Sequence, residues 1–361
     1  MPDLIPRRRG TRGLRVTLVV AVLAISCSIT SGCASTSDAT AGSIALLLPD
    51  AKTARYETFD RPIFEERVAQ LGDYDVMYSN ADQDAAQQQQ QAESAITAGA
   101  DVLVLDPVDS TAAASIVLSA NAQGVPVIAY DRLILGGDIA YYVSFDNEKV
   151  GQLQASAFLD RLGTMSGAEG ILMVHGSPTD NNARLFREGA HEVIDAAGVP
   201  ILAEFDTPGW SPERAQEWVA GQITQYGDDI VGVYAANDAT AGGAISALRA
   251  ANVTPLPPVT GQDADLAAIQ RIVAGDQYMT VYKAIRPQAE LAADVAVALM
   301  RGEAVDAPMQ VNGIPTTLLD PVAVRVEDIA DTVVADGFWT LDDICTPAYR
   351  EACVTAGLLS E

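Results

Sequence analysis

Residues 101–131 read DVLVLDPVDSTAAASIVLSANAQGVPVIAYD. Two short apolar runs, Val102–Leu105 and Val125–Tyr130, flank a stretch of helix formers, and each run stops on an aspartate, Asp106 and Asp131. Apolar runs this short, without polar alternation, suit strands buried on both faces. A helix between two such strands is the connection that a parallel pair requires. The stretch therefore reads as a strand–helix–strand unit with a carboxylate at the C-terminal end of each strand.

Working outward, the same alternation runs through most of the chain. Strands are expected at Ile44–Leu48, Asp75–Ser79, Val102–Leu105, Val125–Tyr130, Tyr142–Phe145, Ile171–Val174, Ile201–Phe205, Ile230–Tyr234, Val259–Gly261 and Met279–Tyr282, with helices in most gaps. That order predicts an α/β fold with parallel sheets. A length of 361 residues exceeds what one core usually organises, so two domains are expected. Ser211-Pro212-Glu213 and Asp238 mark helix starts, and the glutamine run Gln87–Gln91 reads as a solvent-facing helix surface.

Composition narrows the class. With 49% hydrophobic and 19% charged residues the chain is an ordinary globular protein, and its formal charge of −26 repels nucleic acid and anionic lipid. The N-terminus departs from this balance. Arg7, Arg8, Arg9, Arg12 and Arg15 precede an apolar run, Val16–Ile25, that is too short to span a bilayer and reads as an export signal. The run leads to Thr30-Ser31-Gly32-Cys33, which resembles a bacterial lipobox with threonine in place of leucine. A signal peptide over 1–32, lipid attachment at Cys33 and a flexible tether over 33–43 are therefore expected, with membrane contact only through the lipid. Cys345 and Cys353 remain near the C-terminus, and an oxidising compartment would pair them.

Polar residues recur where strands end: Asn80, Asp106, Asp131, Asn237 and Asp263. In open parallel sheets, ligands bind outside the carboxyl ends of the strands. Carboxylates only accept hydrogen bonds, arginine and lysine only donate, and amides do both, which is the mixture a polyhydroxylated ligand needs. Tyr56 and Trp210 could pack on the C–H face of a sugar ring. An enzyme reading lacks its parts: His175 lies near Ser177, but no GxSxG elbow surrounds them. The chain has two histidines, no phosphate-binding loop and no dinucleotide glycine motif, and Asp263-Ala264-Asp265 is too short for a calcium loop. No catalytic residue, metal or cofactor is expected. A sugar-sensing transcription regulator would need a helix-turn-helix, and none precedes Ile44.

Longer blocks make a resemblance: YDRLI from Tyr130, SFDNEKVGQLQA from Ser144, GSPTDNNARLF from Gly176, NDATAGGAI from Asn237, and GQDADLAAIQRI from Gly261 followed by TVYK. In this order they resemble the D-xylose-binding proteins of ABC importers, in the sugar-binding branch of the type I periplasmic-binding family. The resemblance implies two lobes of parallel sheet flanked by helices and joined by a three-segment hinge. It places residues 44–146 and 284–306 in an N-terminal lobe, 147–283 and 307–338 in a C-terminal lobe, and leaves 339–361 as an extension. Carried over by motif, the sugar contacts are Arg55, Tyr56, Asp131, Arg132, Asp180, Asn182, Trp210, Asn237, Asp263 and Lys283. The implied partners are a monosaccharide, D-xylose first with glucose, galactose or arabinose as alternatives, and the permease, with the protein acting as a monomer. LLLPDAKTARYETFD departs from the pattern, with Tyr56 where the family commonly has tryptophan.

Overall fold

The computed structural model describes residues 40–163 and 167–360. The expected signal peptide, Cys33 and all but the last residues of the expected tether lie outside them. No helix among the described residues is long and apolar enough to cross a membrane.

In chain order the elements are β1 (Ser43–Leu48), α1 (Arg61–Leu71), β2 (Asp75–Asn80), α2 (Ala85–Thr97), β3 (Val102–Leu105), α3 (Ala114–Asn121), β4 (Val127–Tyr130) and β5 (Tyr141–Phe145). There follow α4 (Asn147–Arg161), β6 (Gly170–His175), α5 (Asn181–Ala197), β7 (Ile201–Asp206), α6 (Pro212–Tyr226), β8 (Ile230–Ala235), α7 (Asp238–Ala250), α8 (Leu266–Val273) and β9 (Thr280–Tyr282). The chain closes with α9 (Ile285–Met300), β10 (Met309–Val311), β11 (Ile314–Leu319), β12 (Val322–Val324), α10 (Leu341–Ile344) and α11 (Arg350–Thr355).

One lobe is a seven-stranded sheet in the order β10-β11-β5-β4-β3-β1-β2, parallel except for the β10–β11 hairpin. The other is built on the parallel sheet β7-β6-β8, extended at its edge by a single bridge from Val233 to Val259. Both sheets are covered on both faces. Along β1, Ile44, Leu46 and Leu48 enter one core cluster while Ala45 and Leu47 enter the opposite one. Along β6, Ile171 and Met173 face one cluster while Leu172 and Val174 face another. Each fully buried aliphatic side chain contributes about 1.5–3 kcal/mol.

The chain passes between the lobes three times: after β5, between β9 and α9, and between β11 and β12. The third passage corrects the expected boundary. Residues 307–338 do not go together to the C-terminal lobe, because β11 pairs with β5 from Thr316↔Tyr142 to Leu319↔Phe145 and so completes the N-terminal sheet. The edge of β5 would otherwise expose unpaired backbone groups, which a short hairpin covers. Two further expectations change. Val259–Gly261 forms one bridge rather than a strand, and β9 pairs antiparallel with β12 instead of joining the parallel sheet. Gln88 is also not surface: it is buried, its amide donating to the Asp106 carbonyl and accepting from Val108 N–H.

The last segment packs against the C-terminal lobe. Ile344 and Cys353 join a cluster with Ile269 and Tyr282, and Cys345 is disulfide-bonded to Cys353. Trp339 Nε1 donates to the Ala264 carbonyl at 2.8 Å, and Phe338 stacks on Phe59 of the other lobe with ring centres 3.9 Å apart.

Helices α4 and α5 cross with their backbones in close approach. A Cβ at Gly151 would lie 2.1 Å from the Phe186 carbonyl oxygen, and one at Gly189 would lie 2.0 Å from that of Glu148. Neither neighbour can yield without moving a helix. Gly189→Ala should therefore lower stability by about 1–3 kcal/mol, seen as a lower urea midpoint at unchanged slope. An unchanged midpoint would show that the helices separate freely.

Candidate functional site

All the candidate residues stand at C-terminal strand ends, on the loops that follow them or, for Asn182, in the first turn of the next helix. Arg55 and Tyr56 follow β1, Asp131 and Arg132 follow β4, and Asp180 and Asn182 follow β6. Trp210 follows β7, Asn237 follows β8, Asp263 follows the Val259 bridge, and Lys283 follows β9. These ten, together with Thr53, Phe186 and Gln262, line one small cavity with about 20 Å³ of free space.

Backbone geometry aims several of them. Asp131, Trp210 and Asp263 have φ of 57°, 54° and 101°, a region that costs a residue with a side chain about 1–3 kcal/mol and persists where surroundings enforce it. Gly176 makes room for the indole, since a Cβ there would meet Trp210 at 2.0 Å. Asp180 caps α5 by accepting from Asn182 N–H at 2.8 Å, while its second oxygen accepts from Trp210 Nε1 at 3.0 Å. The cap of α7 is Asn237 rather than Asp238: Asn237 Oδ1 accepts from Thr240 N–H at 2.9 Å. Asp238 turns inward instead, accepting from Gln277 Nε2 and Thr280 Oγ1.

The charges form a connected network. Arg55 donates Nε and Nη2 to Asp60 at 2.9 and 2.7 Å, Nη1 to Asp131 at 2.8 Å, and Nη2 to Gln288 at 2.9 Å. Most of its donors are thus committed within the protein, and its main effect is to fix Asp131. Arg132 pairs with Asp180 at 2.8 Å and donates to the Tyr56 hydroxyl at 3.2 Å and the Pro107 carbonyl at 3.1 Å. Lys283 Nζ lies 3.1 Å from Asp263 Oδ1. Burial works to raise the Asp131 carboxyl, but Arg55, then Lys283 and Arg132, outweigh it and hold the group well below the usual carboxylate range.

The network joins the lobes. Arg132–Asp180 crosses the cleft, and Asn182 Nδ2 donates across it to the Asp131 carbonyl and carboxylate, each at 3.1 Å. Nearby, Ser110 N–H donates to the Thr179 carbonyl at 2.9 Å. Two amide oxygens of the lining, Asn182 Oδ1 and Gln262 Oε1, are buried without a protein donor. Acceptors of this kind match the hydroxyl hydrogens of a polyol. Thr53, Phe186 and Gln262 were not singled out from sequence, although Phe186 and Gln262 lie inside the blocks GSPTDNNARLF and GQDADLAAIQRI.

This fold and cleft have known counterparts. The family model for the periplasmic binding protein domain matches residues 44–304, and the chain belongs to that family. It is 40% identical over 303 residues to the D-xylose-binding periplasmic protein of Escherichia coli, covering 82% of this chain and 90% of that one. The D-xylose-binding periplasmic protein of Haemophilus influenzae is 39% identical over 309 residues, covering 83% and 91%. Among solved structures, an ABC transporter solute-binding protein from Clostridium phytofermentans with bound β-D-glucose is similar, with TM-score 0.78 and 30% identity over 84% of this chain and 99% of that one.

Asp106 stands behind the cavity, fully buried, with neither carboxylate oxygen hydrogen-bonded and Arg132 Nε 3.6 Å away. Burial raises its carboxyl well above the usual range, against the pull of Arg132. The folded state then binds the proton more tightly than the unfolded state, so this group lowers stability as pH rises from the ordinary carboxylate range. Asp106→Asn removes that dependence. The melting temperature of the variant minus that of the wild type should grow more positive between about pH 5 and about pH 8. A difference that stays flat would show that Asp106 ionises normally.

Proposed function

We propose that this chain is the extracytoplasmic binding component of an ABC sugar importer, capturing a monosaccharide, D-xylose first, between its lobes and presenting it to the permease. The reading rests above all on one observation. Carboxylates, amides, two arginines and a lysine from both lobes converge on one small cavity with no nucleophile–base pair among them. The two curated relatives are named for D-xylose, which supports the pentose. The sequence Thr30-Ser31-Gly32-Cys33 supports a lipid on Cys33, with the chain otherwise a monomer tethered at the outer face of the membrane.

In this reading Asp131, Asp180 and Asp263 accept from sugar hydroxyls, Arg132 and Lys283 donate, and Asn182 accepts through its unpartnered Oδ1. Arg55 acts through Asp131, and Trp210 and Tyr56 offer ring faces. Asn237 Oδ1 is occupied by its cap, so its Nδ2 hydrogens are what it offers. A ligand that bonds to both lobes favours the closed state by its differential affinity for that state, and the permease reads closure. Glucose is the second reading, favoured by the glucose-bound structure that this chain resembles.

Calorimetric titration with a panel of pentoses and hexoses tests the ligand, with xylose expected to bind tightest. No heat with xylose and saturation with glucose would transfer the assignment to the hexose. Asp263→Ala should weaken xylose by about 2–4 kcal/mol, roughly 30-fold to nearly 1000-fold, because Lys283 and the hydroxyls lose their acceptor. An unchanged isotherm would remove Asp263 from the contacts.

A further inference from the structure

The only two histidines of the chain meet behind the loops that carry Asp180 and Trp210. His175 ends β6, Glu204 lies in β7 and His191 lies on α5. The Nε2 atoms of His175 and His191 stand 3.0 and 3.1 Å from one atom, Glu204 Oε2. All three donor atoms fall within 4.8 Å of one another. A tetrahedral zinc ion with bonds of about 2.1 Å separates its ligand atoms by about 3.4 Å, so these groups need only small shifts to enclose one.

Hydrogen-bond accounting at His191 points the same way. His191 faces a carboxylate on each side: Glu204 at Nε2, and Asp195, whose oxygens both lie 3.4 Å from Nδ1. A neutral imidazole has one N–H and cannot serve both. A proton or a metal ion at Nε2 resolves the conflict; with the metal, Nδ1–H donates to Asp195 and the Nε2 lone pair binds the ion. A carboxylate behind a ligating histidine is the usual outer partner in such sites. His175 is buried and its ring is held by the surrounding lobe.

Arg187 is the counterweight. Its Nη2 lies 3.0 Å from Glu204 Oε2, where its charge opposes a second cation. Its side chain is 42% exposed and its Nη1 reaches Asp206 at 3.3 Å, so it can release Glu204 and keep a partner.

We propose that His175, His191 and Glu204 form a site for one divalent transition-metal ion, of which zinc best suits this nitrogen–oxygen set, and that the ion staples the roots of two ligand loops. Thr207 N–H donates to the His175 and Gly176 carbonyls at 3.3 and 3.0 Å, so β6 and β7 already meet at this point. Asp180 and Trp210 stand a few residues beyond it.

The test is calorimetric titration of the purified full chain, free of any histidine tag and stripped with chelator, using zinc alone. One zinc per chain is expected. His191→Ala should weaken it by at least about 10-fold and Asp195→Asn by about 10-fold, as losses of a ligand and of its outer partner do. Arg187→Ala should bind zinc more tightly than the wild type, a direction that a purely structural salt-bridge cluster would not give. A xylose titration and a thermal melt on each variant report whether the fold survives. Absence of saturable zinc binding in the wild type overturns the proposal, as does wild-type zinc affinity in a folded His191→Ala or weaker affinity in Arg187→Ala.

Discussion

Arg132 and Asp180 come from different lobes and meet at 2.8 Å with side chains 5% and 2% exposed. Taking two charges out of water costs several kcal/mol each, and their attraction recovers this only when every remaining donor and acceptor is satisfied. Here the surroundings do most of this: Tyr56 and Pro107 each take one hydrogen of Arg132, leaving two of its five N–H donors for a ligand, while Asn182 N–H and Trp210 Nε1 donate to Asp180. The pair therefore belongs to the closed arrangement of the lobes. Separating them would return both charges to water, so the pair can form and break with little net change. A ligand that adds bonds to both sides then decides the balance.

The rest of the architecture holds those groups still. Strands buried on both faces fix where each chain segment leaves its sheet, and the cap bonds of Asp180 and Asn237 lock the first turns of α5 and α7. Close helix contacts at Gly151, Gly189 and Gly243 leave the C-terminal lobe little room to deform. Phe338 on Phe59 adds a contact between the lobes from outside the cleft.

Much of this was legible in the residues. The unit at 101–131 carries its fold in plain view, because apolar runs buried on both faces have no polar alternation to confuse them, and Asp131 stands where a parallel strand must end. All ten candidate residues face one cavity, yet the role of Arg55 was not readable, because its partners Asp131 and Gln288 lie on segments that only tertiary structure brings together. Gln88 was hidden inside a polar run for the same reason. The β10–β11 hairpin was missed because its residues are half-buried and alternate weakly, and nothing local says which sheet edge they will cover.

The most direct measurement is a crystal structure of the chain grown with D-xylose. The account predicts the sugar enclosed between the lobes, its hydroxyls bonded to Asp131, Asp180 and Asp263, to Arg132 and Lys283, and to the Asn182 and Gln262 amides, with Trp210 along its ring. A sugar lodged elsewhere, for example in the 430 Å³ cavity lined by Phe59, Pro62, Ala284 and Phe338, with the cleft polar groups still bonded only to one another, would contradict it.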